Sequence, residues 1–490
     1  SAGNIPFPTT PPNEGFEGRR FVGYQIYDGL YRWNGEQGDQ IPTPQLALAE
    51  AVEMLDEITW IFHLRRGVKF HDSTPFTAES VVFHFDRVSK KDSPHFDELL
   101  APLNASNFRY IGSYAAVDAY TVKIITKGPY AFLPDDLTFI NFASPTAVER
   151  YGNKEYNQHA SGTGPFIMTK YIDGQVMELT ANQEYWRGRP RLDKIILYPQ
   201  PEAASRPAAL QSGDVDWAEV PPPDSVEQLR TQKYQVFLKP YPHGIMPQFN
   251  LYRPPFTDQR LRLALNYAAD REGLAKLINN CGYPASQYYY KEHPFHDPTF
   301  EGYKYDPARA KALLAEAGYQ PGSLRLKFAY TTGGSGNMWP GPMMEKIQSD
   351  FKAIGVETEL IPMEWNTLIS IFYDGLNHQK WRHLDIRWAS PGPVARTSLN
   401  VFLSKQPHGA PNSQGYGNPA VDDLYTRAAR TFDPEQQTRL LREMQEAVVR
   451  DAPFIAWMHD LNLRVLSPKV RGYVHPQSWF VDLTQVWMER

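Results

Sequence analysis

Residues 60–87 read WIFHLRRGVKFHDSTPFTAESVVFHFDR, and the fold turns on them. Large side chains alternate through residues 60–64 in the period-2 manner of a half-buried strand. Arg65, Arg66 and Gly67 make a basic turn, and residues 68–70 read as a second short strand, which puts Gly67 at a hairpin corner. His71, Asp72 and Ser73 form a polar loop, and Pro75 cannot sit in a central strand. Thr77 then caps a helix, with Ser80 standing where a capping box would place glutamate. Val81, Val82, Phe85 and Val88 give that helix its apolar face. His71 and Asp72 read as a hydrogen-bonding pair in the loop, not as a catalytic dyad.

This run of strand, turn, loop and helix resembles the signature segment of the bacterial extracellular solute-binding proteins of family 5, the dipeptide-, oligopeptide- and nickel-binding components of ABC importers. Two positions depart from the family pattern: Ser73, where glycine is usual, and Ser80, where aspartate is usual. Similar stretches recur at residues 24–30 (YQIYDGL), 161–166 (SGTGPF), 182–188 (NQEYWRG), 210–216 (LQSGDVD) and 418–424 (NPAVDDL), and on to Tyr473. The resemblance implies an α/β chain with the two-lobed periplasmic-binding-protein fold of type II, carrying an extra domain. It places the first lobe in residues 1–45, 161–250 and 470–490, the extra α/β domain in 46–160, and the second lobe in 251–469. Residues 21–30 are expected to hold an early helix, with Gly29 at its end.

The 490 residues suffice for two or three domains. Hydrophobic residues at 42% and charged residues at 21% are ordinary for a soluble globular chain, whereas 13% aromatics and 42 prolines are high. A net charge of −5 argues against a nucleic-acid partner. No uncharged apolar run reaches the roughly 18 residues of a membrane span. Cys281 is the only cysteine, which excludes an internal disulfide and cysteine-built metal clusters, and a buried, inert thiol is expected. The sequence begins at Ser1 without an apolar signal region, as a mature secreted form or a trimmed chain does. With no N-terminal cysteine to carry a lipid, the resemblance implies a Gram-negative periplasm.

Periodicity predicts a helix from Asp258 with Leu261, Leu265, Ala268 and Ala269 on one face. Helices are also expected at 305–318, 345–354 and 434–451, the last carrying Leu440, Leu441, Met444 and Val448. Strands are expected at 324–330 and 356–362, and a buried one at 454–457. GxSxG, HExxH, GxxxxGK and GxGxxG are all missing, which removes the usual hydrolase and phosphate-cradle readings. His293 and His296 in HPFH, with His408, are the one loosely metal-like group among 13 histidines.

The resemblance implies a ligand held between two closing lobes. In the dipeptide-binding branch an aspartate three residues past a tryptophan meets the ligand's amino end; here Trp388 is followed by Pro391 at that place. The arginine and tyrosine that meet the carboxylate end are replaced by Gly334 and Gly336. A zwitterionic dipeptide would bury two unpaired charges, at a cost on the order of several kcal/mol each. Arg396, inside the altered segment, is the leading candidate to take a carboxylate in a bidentate pair, with Arg387, Arg19 and Arg20 behind it. Trp365 matches a ligand-contacting tryptophan of that branch, and Trp388, Tyr27, Trp339, Asn412 and Tyr416 are further candidates for the cleft lining. On this reading Arg396→Ala weakens an acidic ligand and leaves the melting temperature nearly unchanged.

The expected function is ligand capture without chemistry: a periplasmic, monomeric substrate-binding component that uses no cofactor and docks on an inner-membrane ABC permease. A peptide-like amino-acid conjugate of opine or sugar–amino-acid type leads, then a short peptide, then an oligosaccharide. A periplasmic enzyme or metal-chelate receptor using the histidine loops, and a chaperone-like peptide carrier, are the rivals.

Overall fold

A computed structural model of the chain describes residues 22–240, 244–333, 338–390, 396–404, 412–478 and 480–489. The strand Thr59–Leu64 forms as its alternation predicts, with Trp60, Phe62 and Leu64 buried. It lies inside a four-stranded antiparallel sheet, flanked by Ala49–Met54 and Thr121–Thr126, and Ile111–Asp118 forms the far edge. The hairpin expected at Gly67 is absent. Both edges of Thr59–Leu64 are already taken by other strands, so residues 68–70 make only an isolated bridge from Lys69 to Pro75. The helix Ala78–Ser89 opens with the Thr77 amide donating to Ser80 Oγ at 3.2 Å. It buries Val81, Phe85 and Val88, while Val82 is half-buried. Phe85 meets Phe108 and Tyr114 edge-on, each at 5.0 Å, and each buried side chain of this kind contributes about 1.5–3 kcal/mol.

The early helix is a single turn, Tyr24–Ile26, that ends before Gly29. The loop at 161–164 closes over it. Gly164 donates its amide to Ile26 O at 2.8 Å, and His71 donates its own amide to Gly162 O at 2.8 Å. A Cβ on Gly162 would stand 2.1 Å from Ile26 O, so the two backbones can pass this closely only at glycine. His71 Nε2 lies 3.0 Å from Gly164 O and its Nδ1 accepts from the Gly162 amide, so the histidine clasps this loop and Asp72 bonds elsewhere, to Ser144 and Thr74. The sheet of Phe166–Ile172, Val176–Ala181 and Lys194–Leu197 follows.

The second sheet has a parallel centre. Leu324–Thr331 runs parallel to both Val356–Met363 and Ile386–Arg387, and Gln248–Phe249 joins the far edge antiparallel. Helix Pro340–Ala353 starts five residues before the expected 345, with Pro340 at the position where a missing amide costs nothing. Helix Gln259–Ala268 starts at Asp258, whose side chain accepts from the Arg260 amide. Residues 454–457 are buried as expected but form no strand; Phe454 bridges Gln248 and the strand is Met458–Asp460.

Two passages of chain link the sheet systems, and they run side by side: the Lys239 amide donates to Leu461 O at 2.9 Å. On one side Arg464–Leu466 sits between Trp217–Glu219 and Gln235–Phe237, and on the other Met458–Asp460 sits between Gly244–Ile245 and Gly282–Pro284. The Pro-rich break that includes Pro254 and Pro255 comes after a strand that already belongs to the second sheet.

An apolar core joins residues 130–142 to the helices Pro419–Arg430 and Pro434–Asp451. Ala131 donates its amide to Ala429 O at 2.7 Å, and Phe132 meets Tyr425 edge-on at 5.8 Å. Leu440, Leu441, Met444 and Val448 are buried as their spacing predicts.

Candidate functional site

The strands Leu324–Thr331, Val356–Met363 and Ile386–Arg387 point the same way, so their carboxyl ends share one edge of the sheet. Open α/β sheets take ligands in the crevice outside that edge. Trp365 opens the helix Trp365–Asp374 directly after the second of these strands, and Arg387 and Trp388 end the third.

Arg387 is 4% exposed. Its Nη2 donates to Ser413 Oγ at 2.9 Å and to Gln248 Oε1, and its guanidinium lies 5.4 Å from the Phe372 ring centre. Its Nε has no hydrogen-bond partner among the described residues, and no carboxylate pairs with it there. Burial alone brings its pKa down to about 9. The acids near this edge are engaged: Asp385 accepts from the Lys327 amide at 2.8 Å and from Arg253 at 2.8 Å. Glu364 caps its helix by accepting from the Asn366 and Thr367 amides. Trp365 is half-buried and its indole N–H has no partner among the described residues.

Arg396 is held differently. Its Nε donates to Asp135 Oδ2 at 2.8 Å, its backbone amide to Asp135 Oδ1 at 3.0 Å, and its Nη1 to Gln437 Oε1 at 2.8 Å. The Phe132 ring lies below the guanidinium at 5.3 Å. Asp135 is buried, so the charge of Arg396 is matched inside the protein.

The remaining candidates divide between core and turn. Trp388 is buried, with its indole donating to Ser390 Oγ at 2.8 Å and its ring 6.1 Å from Trp457. Tyr27 is buried and bonds the Tyr156 hydroxyl at 3.2 Å. Trp339 takes a left-handed φ of 52° at the start of its helix and packs against the apolar core around the parallel sheet. Asn412 closes a turn by accepting from the Gly415 and Tyr416 amides at 3.0 Å each, and the Tyr416 hydroxyl donates to Asp451 at 2.6 Å. Arg19, Arg20, Gly334, Gly336, Pro391 and His408 lie outside the described residues.

His293 is buried against the Tyr289 ring at 4.3 Å, and burial lowers its pKa to about 3. His296 Nδ1 sits 3.0 Å from Tyr289 O. Among the described residues no three histidine, cysteine or acidic side chains gather as a metal site. Burial raises the Cys281 thiol to about 12. A cavity of about 350 Å³ opens away from the sheet edge, lined by Asp72, Arg150, His159 and Lys170 among others. Sequence reasoning missed Gln248, Ser413, Asp135 and Gln437. Only Gln248 carried a signal, as a lone amide side chain in the apolar run 245–249.

Comparison with known proteins fits this geometry. The family model of the bacterial extracellular solute-binding proteins, family 5, matches residues 42–410. Heme-binding protein A of Haemophilus influenzae is 29% identical over 478 residues, covering 92% of this chain and 84% of that protein. The glutathione-binding protein GsiB of Salmonella choleraesuis is 29% identical over 473 residues, covering 94% of this chain and 88% of that protein. The structure of the periplasmic binding protein AgaA from A. tumefaciens R10, in complex with agropinic acid, superposes with a TM-score of 0.84 at 20% identity, covering 100% of this chain and 97% of that one. The fold is the two-lobed type II periplasmic-binding-protein fold, in which members act as solute-binding receptors working with ABC permeases. The family match over three quarters of the chain places the protein among the bacterial extracellular solute-binding proteins of family 5, the substrate-binding components of ABC importers.

Proposed function

We propose that this substrate-binding component works in the periplasm as a monomer, performs no chemistry, and captures a small amino-acid conjugate bearing a carboxylate, of opine or sugar–amino-acid type. One observation carries the reading: at the carboxyl edge of the parallel sheet the described acids, Asp385 and Glu364, are both engaged, whereas the Arg387 guanidinium is not matched by any acid among the described residues. Such an edge offers nothing to a ligand ammonium and much to an anion. The sequence supports it, with Pro391 where the dipeptide branch has its aspartate. The similarity to a glutathione-binding protein favours, as a second reading, a short peptide-like ligand, which is itself an acidic conjugate.

Isothermal calorimetry of the full chain against agropinic acid, glutathione and a panel of neutral dipeptides tests this. Binding of at least one of the two acidic conjugates at micromolar strength, with dipeptides more than about tenfold weaker, is the expected result. Equal or tighter binding of ordinary dipeptides overturns it.

A further inference from the structure

The geometry points to Arg387, not Arg396, as the residue that takes the ligand's carboxylate, with Gln248 and Ser413 positioning it. The inference rests on the anionic-ligand reading above and names the group within that site.

Other described buried arginines have their charge or most of their donors matched from within, although Arg464 Nε and Arg87 Nη1, like Arg387 Nε, have no hydrogen-bond partner among the described residues. Arg464 pairs with Glu219 at 2.6 Å and Arg87 with Asp97 at 2.9 Å. Arg271 lacks a carboxylate but donates to the carbonyls of Ala456, Asn266 and Ala269. Arg387 has neither an acid nor a fan of carbonyls. Its Nη2 donates to one amide oxygen and one hydroxyl, and its Nε is buried without a partner among the described residues. A cation this far from water without a counter-charge is costly, and the cost falls when an anion arrives.

Its placement fits that role. Arg387 ends a strand at the edge where the parallel sheet opens, and in the strand register it stands opposite Gln248. The cross-strand pair fixes the guanidinium before any ligand binds, which limits the ordering cost of binding. The choice of side chain at 248 is itself telling. A glutamate has nearly the shape of glutamine and would have neutralised Arg387; the neutral amide orients the cation and leaves its charge for an incoming group. The indole N–H of Trp365 adds a donor with no partner among the described residues beside the same sheet edge.

The test compares wild type with Arg387→Met and Gln248→Glu, using agropinic acid and glutathione as probes, each as the acid and as its carboxamide. For whichever acid binds wild type, Arg387→Met is expected to weaken it on the order of 100-fold and to leave the carboxamide unchanged within about threefold. Gln248→Glu is expected to weaken the acid to a similar degree, because it supplies an internal counter-ion. Both variants are expected to melt, without ligand, no lower than wild type. If wild type binds the acids but Arg387→Met or Gln248→Glu binds them equally well, Arg387 is not the anchor and the ligand class stands. A drop in melting temperature with acid and carboxamide weakened alike assigns Arg387 a purely structural role and also overturns the inference. If wild type binds none of the probes, the reading of the ligand class and this inference fall together.

Discussion

Arg396 and Asp135, 261 residues apart in sequence, are tied by the arginine's Nε at 2.8 Å and its backbone amide at 3.0 Å. This pair fastens residues 130–142 to the segment Arg396–Phe402, beside the Ala131 to Ala429 hydrogen bond.

It reverses the mutational expectation drawn from sequence. Removing the guanidinium leaves the buried Asp135 carboxylate alone, so Arg396→Ala is expected to lower stability by about 3 kcal/mol. Urea unfolding followed by fluorescence reads this directly; a variant as stable as wild type would place the pair outside the folded core. Asp135→Asn should cost less, because the arginine is partly exposed and regains water.

Asp136, the neighbour, faces the other way and receives the Tyr130 hydroxyl at 2.6 Å. Burial, chiefly, raises its pKa well above the usual carboxylate value. The folded state therefore holds this proton more tightly than the unfolded state. Its contribution is fully present below about pH 3.8 and is lost as pH rises through the raised folded value. Asp136→Asn should accordingly be at least as stable as wild type at pH 7 and lose that advantage toward pH 4. Denaturant midpoints at the two pH values check it, and a large loss at pH 7 would contradict it.

Four histidines predict the acid side of the stability curve. Burial lowers His71 to about 4, and His84, His293 and His459 each to about 3. Each is depressed in the folded state, so its contribution is present above the ordinary value near 6.5 and is lost as pH falls below it. Stability should thus fall by up to about 1.4 kcal/mol per pH unit per histidine between pH 6 and 4, unless other groups compensate. His293→Gln, which cannot titrate, should flatten the slope by about one quarter of the histidine share; an unchanged slope would mean His293 is solvated.

The 161–164 loop gives a steric prediction. Gly162→Ala drives a methyl group into Ile26 O, a backbone atom that cannot step aside cheaply. A loss of about 2–4 kcal/mol is expected, read by thermal melting, with Gly128→Ala, which meets nothing within 4 Å, as the control.

Local pattern carried much of the fold and little of the site. The strand at 59–64 was legible because one face is buried and the side chains record it. The helix Pro434–Asp451 was legible for the same reason at a different period. The hairpin at Gly67 was misread because a turn signal reports a bend and says nothing of which strands, far along the chain, already fill both edges. At the site, arginines 387 and 396 look equivalent in sequence. What separates them is an acid at position 135 reaching one and, among the described residues, only neutral groups reaching the other, and that is a fact of tertiary contact. Asn412, Tyr416 and Trp388 are polar or aromatic as a lining demands, yet their hydrogen bonds show that a turn, a helix end and a core claim them.

The two sheet systems are thus fastened twice, by the amide contact at Lys239 and Leu461 and by the contacts at Ala131 and Asp135. One fastening lies where the chain itself crosses between the sheets, at Lys239 and Leu461, and the other, at Ala131 and Asp135, lies away from those crossings.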